Sequence, residues 1–234
     1  DKIDTLIGFF GINEKPSSSK DPFALRRTAL GIIRIIIENK KDLKINDLTS
    51  YSSNTYLDQG FNFPNKILQK DIFNFLKDRF RYYLREKEIR HDIIEASLNS
   101  FDLSKISIQF EKSKSLNKVI NKQVGLDIVS TYKRAHNILQ TEVKDINNEL
   151  SNTTDPGIFK NEFEKNLYKK INEIKKYFSG VSREENFDET LMLLASAKKE
   201  IFDFFDNVKV NDESDSIKKN RLELINILCK TFEN

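Results

Sequence analysis

From residue 21 the chain reads Asp-Pro-Phe-Ala-Leu-Arg-Arg-Thr-Ala-Leu-Gly-Ile-Ile-Arg-Ile-Ile-Ile, and no other stretch limits the possible folds as much. Asp21 can accept bonds from the free amides of a first helical turn, and Pro22 at the first helical position gives up an amide that has no partner there. A helix is therefore expected to begin at Pro22. Phe23, Leu25, Ala29, Leu30, Ile32, Ile33, Ile35, Ile36 and Ile37 leave little polar surface, so this helix is expected to be central and buried on most sides. Arg26, Arg27 and Arg34 interrupt it and must reach solvent, a carboxylate or a phosphate, because a buried unpaired guanidinium is too costly.

Other stretches repeat the helical period. Ile3, Leu6, Ile7 and Phe10 predict a short helix, and Asn46 is a candidate cap for another that carries Leu48 and Tyr51. Ile67, Leu68, Ile72, Leu76, Phe80 and Leu84 predict a long amphipathic helix ending near Glu86. A shorter one follows over residues 92–98, and the apolar positions from Leu116 to Leu139 read as one helical stretch. Phe159, Phe163, Leu167, Ile171, Ile174 and Phe178 form a clean stripe, followed by helices over residues 187–205 and 216–232. Gly60 and Pro64 mark one break, and Asp155-Pro156-Gly157 marks the strongest. No strand alternation of convincing length and no fixed repeat is visible. The expected fold is an all-α bundle of roughly eight helices, in which the helices from Pro22, Ile67, Leu116, Phe159, Phe187 and Ile217 share one core.

Motifs of self-contained catalysis are missing: there is no Walker sequence, no GxSxG, no HExxH and no EF-hand loop. No catalytic or metal-binding residue is assigned. His91 and His136 read as structural or surface residues; Glu184-Glu185 reads as a helix start, and Asp212, Glu213 and Asp215 as a solvated loop. The lone Cys229 excludes an intramolecular disulfide and a cysteine zinc site, which fits a reducing compartment, and cytoplasm is the expected location. No run approaches the roughly 20 apolar residues of a membrane span, and no membrane partner is expected. A chain starting on Asp1 rather than Met is expected to be a piece of a larger protein.

With 39 Lys and Arg against 36 Asp and Glu, the net charge of +3 is too small to coat a nucleic acid by general attraction. Any RNA contact must be local. Arg79, Arg81, Tyr82 and Arg85, and again Tyr132, Lys133 and Arg134, interleave cations that can bind phosphate with rings that can stack on an unpaired base. The same pattern arises whenever an amphipathic helix turns its aromatics inward and its bases outward. For Arg26, Arg27 and Arg221, structural ion pairing and RNA contact stand as alternatives.

Read as letters, KDPFALRR followed by TALGIIRI resembles the signature of the bacterial glycyl-tRNA synthetase beta subunit, just ahead of its anticodon-binding region. DKIDTLIGFF at the start, YKRAHNIL, and FFDNVKVNDESDSIKKNRLELI near the end resemble the same family, the last being shared with the DALR-type anticodon-binding domain of arginyl-tRNA synthetases. Lys209 and Asn211 depart from it, standing where the family usually has Met. The resemblance implies that residues 1–20 are the tail of a preceding HD-like domain and a linker, and that residues 21–234 are a helical anticodon-binding domain. It implies a tRNA-binding part of a glycine–tRNA ligase, with glycine tRNA and the alpha subunit as partners in an alpha2beta2 heterotetramer, and no DNA partner. ATP and magnesium would be held by the alpha subunit, leaving no cofactor and no catalysis to this chain alone. The alternatives are an arginyl-tRNA synthetase anticodon domain and a helical scaffold that binds only protein.

Overall fold

The computed structural model describes residues 1–234 apart from 41–42, 64, 144–149, 181–185 and 234. The break expected at Pro64 and the helix start expected at Glu184-Glu185 thus lie outside the described residues. Among the described residues there are eleven α-helices, one 3-10 turn at Pro156–Ile158 and no strand. The all-α class is as expected.

The count exceeds roughly eight because two apolar stretches that read as single helices are each divided. One holds a turn between α6 (Ile106–Val119) and α7 (Gln123–Val143), closed by the Lys122 amide on the Val119 carbonyl at 2.8 Å. Gly125 makes it possible, since a Cβ there would lie 2.3 Å from the Val119 carbonyl oxygen and 2.5 Å from Ile120 Cα. The other is divided at Ala197, which is buried and both ends α9 (Phe187–Ser196) and starts α10 (Lys198–Asn207).

Nor is there one shared core. The chain divides into two compact units, residues 1–117 and 118–234. In the first, α1 (Lys2–Gly11), α2 (Leu25–Glu38), α3 (Ile45–Asp58) and α5 (His91–Asn99) all pack on α4 (Asn65–Glu86). Leu6, Ile33, Ile72, Leu76, Phe80 and Ile94 are wholly buried there. Of the stripe read from Ile67 to Leu84, Leu68, Ile72, Leu76, Phe80 and Leu84 are buried and make α4 the spine of this unit, whereas Ile67 is 61% exposed. Helix α2 is not buried on most sides: Leu25, Ala29, Ile32, Ile33, Ile36 and Ile37 face inward, whereas Ile35 is 46% exposed. An α-helix of this length offers one face to a neighbouring layer, and the eight apolar residues from Leu25 to Ile37 exceed what that face holds.

In the second unit α7, α8 (Glu162–Gly180), α9, α10 and α11 (Asp215–Glu233) surround a core that includes Leu167, Ile171, Ile174, Ile201, Phe204 and Leu228. Leu222, Leu224, Ile225 and Leu228 bury the inner face of α11, which packs on both α7 and α8.

Candidate nucleic-acid interface

Helix α2 starts three residues later than expected. The Ala24 amide donates to the Asp21 carbonyl at 3.1 Å, closing a turn with Pro22 at its second position, where its fixed φ is suited. Ala24 then takes a left-handed conformation, φ 54°, ψ 34°, and the helix begins at Leu25. Asp21 still serves the amides: its carboxylate accepts from Leu25 N at 2.8 Å and Arg26 N at 3.1 Å. The capping chemistry is as expected, reached through a turn. The same geometry delivers the two arginines, with Arg26 bonded to the Ser17 carbonyl and Arg27 exposed.

Aromatic contacts fix how α2 lies beside α4. Phe9 stacks on Phe23 at 4.1 Å, its neighbour Phe10 meets Phe75 at 5.1 Å, and Arg34 pairs with Glu86 at 3.2 Å. Phe23 to Arg34 and Phe75 to Glu86 are the same eleven-residue step, so the two helices run in one direction and the first turn of α2 is level with Arg79. Arg27 lies seven residues before Arg34 and Arg79 seven before Glu86, so this step sets Arg27 level with Arg79 on the two faces that carry the ion pair.

The α4 candidates differ from one another. Arg81 is held by Asp78 at 2.7 Å and by both carboxylate oxygens of Glu95, at 3.2 and 3.4 Å. Its charge is neutralised within the unit. Arg79 has its guanidinium carbon 6.0 Å from the Phe75 ring and 5.7 Å from the Tyr82 ring, and its Nε is enclosed without a hydrogen-bond partner. Tyr82 is 45% exposed, and Arg85 is also at the surface.

In the second unit, Tyr132 stacks with His136 at 5.4 Å and with Phe232 at 6.3 Å and is half-buried. Its hydroxyl donates to Glu233 at 2.7 Å; burial, and then that carboxylate, push the phenol up to about 12. Arg134 pairs with Asp206 at 2.6 Å and lies over Phe202 and Phe205. Lys133 points outward. Arg221 is buried: its Nε donates to Glu164 at 2.6 Å, and a terminal nitrogen donates to Asp212 at 2.7 Å and the Lys209 carbonyl at 2.9 Å.

A family model described as Glycyl-tRNA synthetase beta subunit matches residues 1–99, and one described as DALR anticodon binding domain matches residues 128–234. The chain belongs to the glycyl-tRNA synthetase beta subunit family. It is 36% identical over 234 residues to a glycine–tRNA ligase beta subunit of Rickettsia africae and 37% identical over 236 residues to that of Rickettsia canadensis, with 100% and 99% of this chain covered. The beta subunit of Cereibacter sphaeroides is 32% identical over 232 residues, 99% of this chain. The chain spans about a third of the length of these curated relatives, 33% in each case.

The synthetase-family match covers Arg26, Arg27, Arg79, Arg81, Tyr82 and Arg85, and the DALR match covers Tyr132, Lys133, Arg134 and Arg221. Within the DALR-matched unit, Arg221 is one member of a buried network. Glu164 also accepts from the amides of Lys160 and Asn161, while Asn161 Oδ1 accepts the Glu164 amide at 3.0 Å. This is a reciprocal cap on α8. Asn220 accepts from the Asp155 amide at 2.8 Å and donates to its carbonyl at 3.0 Å, pinning the break at residues 155–157 to α11. The Asn-x-x-Glu spacing at 161–164 is the readable sign of Glu164's role; nothing local in the sequence pairs it with Arg221.

Proposed function

We propose that this chain is the tRNA-binding part of a glycine–tRNA ligase beta subunit, with its DALR-matched unit directed at the anticodon of glycine tRNA. The observation that carries this reading is the DALR match over residues 128–234, in the same chain as the beta-subunit match over residues 1–99. The alpha subunit of an alpha2beta2 enzyme is its partner, and the cytoplasm is its location. Glycine activation, with ATP and magnesium, is assigned to that alpha subunit. Among the described residues no group of three or more His, Cys, Asp or Glu is placed to hold a metal ion.

Of the candidates in the second unit, Lys133 is the cation best placed to meet phosphate, since Arg134 and Arg221 are engaged by carboxylates. In the first, Arg85 is exposed in the last turn of α4. The test is a titration of the chain with glycine tRNA, its anticodon-substituted forms and an unrelated tRNA. Preference for glycine tRNA, weakened by anticodon substitution, is expected. Preference for an arginine tRNA, or no binding to any tRNA by either this chain or the whole enzyme, would overturn the reading.

A further inference from the structure

We propose that α2 and α4 of the first unit form a second RNA-backbone site, outside the DALR-matched residues, with Arg27 and Arg79 as phosphate ligands and Tyr82 as a stacking face. The proposal rests on the reading that the protein binds tRNA. It starts from a local imbalance of charge. Arg27 in the first turn of α2 is level with Arg79 on α4, and the carboxylates at residues 21, 71, 78 and 86 are engaged elsewhere. Asp21 takes the amides of Leu25 and Arg26, Asp71 is paired with Lys15 at 2.7 Å, Asp78 with Arg81 at 2.7 Å and Glu86 with Arg34 at 3.2 Å. Among the described residues no carboxylate pairs with Arg27 or Arg79.

The Arg79 Nε is enclosed without an acceptor, so an arriving anion meets this guanidinium at its terminal nitrogens, which no carboxylate or carbonyl among the described residues holds. A phosphodiester is the anion that also accounts for Tyr82. One side of that ring carries the Arg79 guanidinium and the residue remains 45% exposed, which offers a base a ring already polarised by a cation. Arg26 ties the loop to α2 through its bond to the Ser17 carbonyl.

The test uses the full-length beta subunit assembled with its alpha subunit, titrated with glycine tRNA over a range of salt. Arg27→Gln and Arg79→Gln should each weaken binding of glycine tRNA and of anticodon-substituted tRNA by a similar factor. The double variant should lower the slope of log K against log salt by about one to two. Tyr82→Phe should bind as the parent does, and Tyr82→Ala should bind several-fold more weakly. If Arg79→Gln lowers Tm, Arg27→Gln, at an exposed position, carries the test alone. Unchanged affinity and slope, in an enzyme that still discriminates the anticodon, would overturn this site and leave the tRNA-binding reading standing. Failure of the parent enzyme to bind tRNA would overturn both.

Discussion

Arg221 and Glu164 form a 2.6 Å ion pair in which each side chain is nearly sealed from water, although 57 residues separate them in sequence. Removing one partner strands the other charge in a dry site, which costs about 3–5 kcal/mol. Arg221→Met should therefore unfold at markedly lower urea, and adding Glu164→Gln should restore part of the loss. If the double variant is as unstable as the sum of the singles, the two side chains do not act as a pair.

Asp212 gives this network an acid dependence. The Ser214 amide, and after it Arg221, hold the Asp212 carboxyl below its ordinary value of 3.8. A depressed carboxyl contributes stability that is present above 3.8 and is lost as pH falls through the lower folded value. The Tm gap between the parent and Asp212→Asn should thus be constant at neutral pH and shrink in that acid window. A gap that widens on acidification would reverse the assignment.

Ala24 is held left-handed at φ 54°, where an L side chain is strained and glycine is not. Ala24→Gly is expected to stabilise the first unit by ~0.5–1 kcal/mol, and Ala24→Val to destabilise it by more. Urea unfolding of the two variants decides this; a loss of stability in the glycine variant would mean that the turn is set by something other than local strain.

Burial pushes the Cys229 thiol up to about 12, so almost no thiolate is present near neutral pH. Iodoacetamide should label the native protein slowly and the urea-unfolded protein quickly. Equal rates would show that the inner face of α11 opens freely.

The long stripes are legible in the sequence. Ile67 to Leu84 anticipates α4 to within two residues, and the Phe159 to Phe178 stripe anticipates α8 except at Phe159, which precedes the helix in extended backbone, because a period of 3.6 is written in the apolar positions themselves. What a stripe packs against is not written there, which is why the stripes read as one core and the chain forms two units. The turn at residues 21–24 is hidden because alanine gives no sign of a left-handed backbone. The fate of each arginine is hidden for a different reason. Arg81, Arg85 and Arg79 share one basic stretch, yet only tertiary placement sets a Glu95 beside the first and leaves the Arg79 Nε without an acceptor.

Asn220 and Arg221, adjacent on α11, fasten residues 154–155 and Glu164 respectively, so α11 acts as a late latch during synthesis. At ribosomal speeds of about 5–20 residues per second, the 57 residues from Glu164 to Arg221 take about 3–11 s to appear. Throughout that interval α8 has its reciprocal cap but no guanidinium against Glu164, and its apolar stripe lacks α11 as cover. The second unit therefore cannot complete its core until α11 has been made, and the Asn-Arg pair is what ends that exposure.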